Sequence, residues 1–220
     1  FPDAVKDTEH FRHENYRGLG YRWGMGVDAS EKRLCEYRCL TLWDETNNWL
    51  ADLPTPPKYN LAISEARSDI GERGRPTWDD TYGMSPVNYV KLDRVPTVDD
   101  MSPIINSIKR GDYFMTSGEV LISSYAVEGA GSQRTITADV EWTFPLDFVE
   151  VVWGDGTTTD RQIISTTNLP AFGKKRFQIP FNAAGKKWVR FAAWDVATNG
   201  ALVQPIKLTA PARTTSSGAE

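Results

Sequence analysis

Both histidines of the chain, His10 and His13, stand three positions apart in HFRHEN, between Glu9 and Glu14. Imidazole nitrogens and carboxylate oxygens are common ligands of zinc, manganese and iron, so the stretch raises the question of a metal site. On one helical turn or loop, the two rings could join a metal or phosphate site completed by another segment, with Glu14, Asp28 or Glu31 nearby. The plainer alternative is a solvated polar segment whose histidines make ordinary hydrogen bonds, and the pair alone favours it. Hydrolysis by a metal-bound water needs at least three protein ligands and an open position. Two histidines and scattered carboxylates are a poor set.

The same region carries Arg12, Arg17, Arg22, Arg33 and Arg38 interleaved with Glu9, Glu14, Glu31 and Glu36. The guanidinium groups could hold an anionic substrate, Arg12 and Arg22 being the candidates, but pairing with the neighbouring glutamates is the stronger expectation. Cys35 and Cys39 are the only cysteines. A C-x3-C pair can ligate a metal or form a disulfide, but no second pair with zinc-site spacing accompanies it. On a helix the two thiols would be neighbours suited to packing and poorly suited to disulfide geometry, so buried, reduced thiols are expected and the compartment stays open.

These side chains need a scaffold, and the 220-residue chain is long enough to bury a substantial core as one large domain or two small ones. A net charge of −4 gives no general reason to bind nucleic acid or an anionic membrane. No apolar run approaches the length of a membrane span, and the N-terminus has no signal-like pattern, so a soluble globular protein is expected. The chain begins at Phe1 rather than Met, which leads to the expectation of a processed or excised part of something longer.

The first half reads as irregular. GLGYRWGMG (18–26) lacks the dinucleotide-binding spacing and is expected to form turns. LTLWDETNNWLADL (40–53) predicts a helix with Asp44 capping its first turn and Leu50 and Leu53 on its apolar face. YNLAIS (59–64) and PVNYVKLD (86–93) read as short strands. A helix should follow, with Ser102 as N-cap, Pro103 at its first helical position, Ile104, Ile105 and Ile108 as its apolar face, Lys109 and Arg110 near its end and Gly111 terminating it. DYFMTSGEVLI then reads as a strand, and strand-helix-strand of this size predicts two parallel neighbours.

From about residue 123 the period changes to two. RTITADVEW puts Ile136, Ala138, Val140 and Trp142 on one side, and five further strands follow, two of them around the WGDG turn (153–156). That turn resembles a fragment of a calcium loop, but a hairpin explains it more simply. Short strands at this spacing predict an antiparallel sandwich of immunoglobulin-like shape, with a flexible tail at 211–220.

SPIINSIKRGDYFMTSGEVLI, DFVEVVWGDG and KWVRFAAWDVATNGALVQPIKL together resemble the C-terminal end of PHP-like (polymerase and histidinol phosphatase) metallohydrolases of the CehA/McbA type. The resemblance is best over 86–208 and implies a fold of two parts: residues 1–122 closing a distorted PHP-type β/α barrel, and 123–210 forming an accessory β-sandwich. The implied activity is metal-dependent hydrolysis of an ester, amide or phosphoester. Family members bind two or three metal ions through an H-x-H pair, further His and carboxylates, and a late D-x-H. Here H-x-H is absent, and Asp69, where the late motif would be expected, is followed two residues on by Gly71.

The resemblance therefore implies a zinc, manganese or iron centre only with an N-terminal part of the same protein, or another copy, supplying most ligands. No metal is expected on this chain alone; His10, His13 and Asp69 are its own candidates. The loop Asp69–Asp80 with Trp78 and Tyr82 would overhang the barrel mouth and touch substrate. A homo-oligomer is compatible with this arrangement. A second reading is a non-catalytic binding module whose sandwich presents Trp142, Trp153, Trp188 or Trp194 to a carbohydrate or protein.

Overall fold

The structure is a computed structural model that describes residues 18–21, 40–62 and 86–208. Its centre follows from the period-two pattern. In β6 (Gln133–Trp142) the alternate residues Ile136, Ala138, Val140 and Trp142 are buried. They face the same way as Phe177, Ile179 and Phe181 of β9 (Gly173–Asn182), which pairs antiparallel with β6. The other neighbour of β6 is β5 (Val120–Ala130), also antiparallel, completing a three-stranded sheet.

A larger sheet packs against it. Its order is β3 (Val87–Val90), β4 (Tyr113–Thr116), β11 (Gly200–Val203), β10 (Trp188–Asp195), β7 (Leu146–Gly154) and β8 (Thr159–Ser165), with β12 (Ile206–Lys207) also on β10. Every pairing in it is antiparallel. Val149, Val151, Val189 and Phe191 meet the small sheet in one core, as expected for a β-sandwich. The WGDG turn joins β7 to β8 as a hairpin, with Asp155 accepting hydrogen bonds from the Thr157 and Thr158 amides at 2.7 Å each.

β10 is apolar on both faces, which its near-continuous run WVRFAAW anticipates. Val189, Phe191 and Ala193 point into the sandwich. On the opposite face Ala192 joins Leu202 and Met115 against Trp43 and Ala62, and Trp188 joins Val152 against Ala51. A third layer therefore covers the outer face of the large sheet. It contains a helix, α1, at residues 40–49, and β2 (Tyr59–Ala62). β2 pairs in parallel with β1 (Gly18–Tyr21), where turns were expected, in the register Gly18↔Tyr59 to Tyr21↔Ala62. With α1 between them in sequence, β1 and β2 form a β-α-β unit.

The strands expected to be parallel are not. β3 and β4 are neighbours but antiparallel, Val87↔Thr116 to Val90↔Tyr113. The ladder continues past β3, with Lys91 N–H donating to Asp112 O at 2.9 Å, so the segment between them is a long hairpin that contains a helix, α2 (Ser102–Arg110). The physical reason lies in that helix. Its buried residues are Pro103 and Ser107, whereas Ile104 and Ile108 are half-buried and Ile105 is 49% exposed. Such a helix cannot cover a sheet face as a crossover does; the Ser107 hydroxyl instead sits between Lys91 O and Asp112 O, at 2.5 and 2.9 Å. Gly111 ends it as expected, in the left-handed region at φ 75°. Ser102 is the first helical residue rather than the cap, and Asp100 accepts its N–H.

DYFMTSGEVLI also divides. β4 ends at Thr116, the chain turns at Gly118, and β5 enters the other sheet. The large sheet thus takes strands from both sides of residue 122. Among the described residues no helix is long and apolar enough to cross a membrane.

Candidate functional site

The residues that sequence singled out for chemistry, His10, Arg12, His13, Arg22, Asp69, Trp78 and Tyr82, lie outside the described residues, as do Cys35 and Cys39. What the structure shows is the framework next to them. Tyr21 and Ala62 are register partners, so the carboxyl ends of β1 and β2 lie side by side. In sequence Arg22 follows the first directly and Asp69 follows the second by seven positions. In parallel α/β units that end of the strands is where sites are built.

The far edge of β2 is held by side chains rather than by another strand. Lys58, Asn60 and Ala62 alternate along it, so their backbone groups point the same way. Asn47 donates to Lys58 O at 2.9 Å and accepts from its N–H at 2.7 Å. Gln204 does the same for Asn60, at 3.0 and 2.8 Å, and Asn88 for Ala62, at 2.9 and 3.0 Å. Three primary amides from α1, the segment after β11, and β3 thus imitate a neighbouring strand and satisfy an edge that would otherwise be buried unpaired. Tyr113 donates to Asn60 O and Tyr59 to Arg110 O, each at 3.0 Å. Asn60 itself is fully buried, and among the described residues neither polar atom of its side chain has a hydrogen-bond partner.

α1 is fixed by charge. Asp44, expected to cap it, lies within it and forms a two-pronged ion pair with Arg190 of β10, Nε–Oδ1 2.6 Å and Nη2–Oδ2 2.7 Å. Arg190 is 1% exposed and its guanidinium lies 4.9 Å from the centre of the Trp43 ring. Glu150 of β7 stands 3.9 Å from Arg190 Nη1 and 3.3 Å from Arg161, and accepts from the Trp194 indole at 3.2 Å. Burial pushes the Asp44 carboxyl up more than Arg190 pulls it down, and Glu150 adds to the rise. Burial alone would lower the value for Arg190, but Asp44 and then Glu150 outweigh it and hold the guanidinium charged. The order of an acid in a helical segment and an arginine inside an apolar strand was the available sequence signal; it does not reveal which acid meets which arginine.

On the opposite face of the large sheet, at the open side of the sandwich, lies a cleft of about 500 Å³. Tyr89 and Phe114, cross-strand partners on β3 and β4, stack beside it with ring centres 5.1 Å apart and planes 5° apart. Its other wall is β5 at Leu121 to Tyr125. The tryptophans expected to form an exposed platform do not: Trp142 and Trp188 are buried, at 6% and 1% exposure. Trp153 and Trp194 are half-buried, the first packed on Phe181 and the second against Phe148. Trp153, Trp188 and Trp194 belong to the large sheet, which is covered on both faces, and Trp142 faces the shared core from β6.

Among the described residues, no group of three or more His, Cys, Asp or Glu is placed to hold a metal ion. No protein-family model, curated protein or solved structure matches this chain.

Proposed function

We propose that this chain is the C-terminal part of a PHP-like metal-dependent hydrolase of ester, amide or phosphoester bonds, contributing terminal parallel strands and an accessory sandwich of immunoglobulin-like shape. The observation that carries the reading is the β1-α1-β2 unit: a parallel pair with an intervening helix is the repeating element of β/α barrels, and here it is fixed on the outer face of a sandwich. The amide-capped edge of β2 makes it the last strand on its side, so further parallel strands would add at β1.

The described residues do not themselves fit a metal, so no catalytic step is derived through one. Zinc, manganese or iron would be held by ligands from an N-terminal part of the same protein or another copy, with His10, His13 and Asp69 as this chain's contribution. Arg12, Arg22, Trp78 and Tyr82 would face substrate. The tryptophan-platform alternative loses its main support through the burial of Trp142 and Trp188.

A panel of carboxyl ester, amide, phosphomonoester and phosphodiester substrates, assayed on the complete gene product with each of the three metals, tests the proposal. Hydrolysis that a chelator abolishes and the metal restores is expected. No turnover of any substrate class with any of the metals would overturn it.

A further inference from the structure

We propose that the cleft between β3, β4 and β5 binds a neutral carbohydrate. This inference is argued from the lining of the cleft alone and does not rest on the hydrolase reading. A volume of about 500 Å³ lies within the range of small-ligand sites and accommodates a short run of sugar rings.

Two observations select the ligand. The first is the aromatic floor. Tyr89 and Phe114 both line the cleft as a stacked pair, and Tyr89 remains 49% exposed. The C–H face of a pyranose is apolar and packs on an aromatic ring, while its hydroxyl edge stays free for hydrogen bonds.

The second is the rim, which carries both signs of charge without an excess of either. Arg110 is shared between Asp112 at 2.6 Å and Asp93 at 3.4 Å, and Glu141 pairs with Lys174 at 2.5 Å. Lys91, which lines the cleft, has no ion-pair partner among the described residues. Of the residues lining the cleft, the cations Lys91 and Arg110 thus balance the carboxylates Asp112 and Glu141, which selects against a charged ligand. Asp112 and Glu141 each use only one oxygen in these pairs, leaving acceptors, and Lys91 supplies donors. The β5–β6 register shifts between Ile122 and Ser124, and the bulged Ser123, exposed on the cleft wall, offers a hydroxyl that can do either. Bulges of this kind re-aim side chains beside binding sites. Free donors and free acceptors around an aromatic surface, with no net charge, suit a polyol ring.

The test is titration of the purified chain by calorimetry and by ligand-observed NMR with cello-, xylo-, malto- and chito-pentaose, penta-galacturonate and 2-naphthoate. At least one neutral pentaose is expected to bind. Tyr89→Ala and Ser123→Trp, both at exposed positions, should each weaken it by about tenfold or more with the thermal transition unchanged. The Trp at 123 fills the cleft from its β5 wall and leaves residue 89 as Tyr, so a folding defect in one variant leaves the other informative. Failure of every neutral pentaose to bind, binding of galacturonate or naphthoate alone, or binding that survives both substitutions would overturn the proposal.

Discussion

Replacing Asp44 by Asn keeps the shape of the side chain and removes its charge, leaving the guanidinium of Arg190 buried at 1% exposure with, among the described residues, Glu150 at 3.9 Å to balance it. The two charge-assisted bonds of 2.6 and 2.7 Å lose their ionic partner, and among the described residues Arg190 Nη1 already has no hydrogen-bond partner. Breaking a buried pair from one side costs roughly 3–5 kcal/mol, a large share of the 5–15 kcal/mol typical of a folded domain. Replacing both partners by apolar residues, Asp44→Leu with Arg190→Met, removes the stranded charge and should cost far less, or even stabilise by about 1–4 kcal/mol. Urea unfolding followed by tryptophan fluorescence and far-ultraviolet dichroism measures all three proteins, and the double variant separates the loss of the pair from the cost of a lone charge. Asp44→Asn within about 0.5 kcal/mol of the parent would refute the buried pair, and with it the docking of α1 on β10.

Asn88→Ala leaves the N–H and C=O of the buried Ala62 without partners and is expected to cost about 1–3 kcal/mol in the same urea assay; an unchanged midpoint would argue against the amide-capped edge. Gly111→Ala places a methyl in the left-handed region and within 2.7 Å of the Tyr59 ring, so a loss of at least about 1 kcal/mol is expected from backbone strain alone. Equal stability would mean that α2 ends differently. Amide hydrogen bonds from Thr158 and Thr157 hold the Asp155 carboxyl below its ordinary value. A carboxyl depressed in the folded state adds stability that is full above the unfolded value, about 3.9, and is lost as the pH falls through the lower folded value. Asp155→Asn should therefore flatten the acid limb of the stability profile, and an unchanged limb would remove Asp155 as a contributor.

The sandwich was legible because Ile136, Ala138, Val140 and Trp142 of RTITADVEW all face the large sheet, so period two marks the core-facing side. The same rule could not say that KWVRFAAWD is buried on both faces, since its outer cover comes from α1, more than a hundred residues earlier. β1 was missed because GLGY has the composition of a turn, and only its parallel partner at 59–62 makes it a strand. The β3–α2–β4 segment was misread for a different reason. Three isoleucines suggested a crossover face, but Lys91 and Asp112 close the hairpin locally and leave Ile105 in water. The edge of β2 was invisible: Asn47, Asn88 and Gln204 are ordinary amides until the fold lines them up at alternate residues of one strand. The cleft, likewise, exists only where the small sheet stops short of β3.

The central claim is that these residues frame a metal centre whose ligands are mostly supplied from elsewhere. Metal content tests it most directly. The chain is incubated with zinc, manganese and iron in turn, passed through gel filtration, and analysed for metal per mole of protein. The account predicts well under one equivalent of each metal; one or more tightly held ions per chain would contradict it.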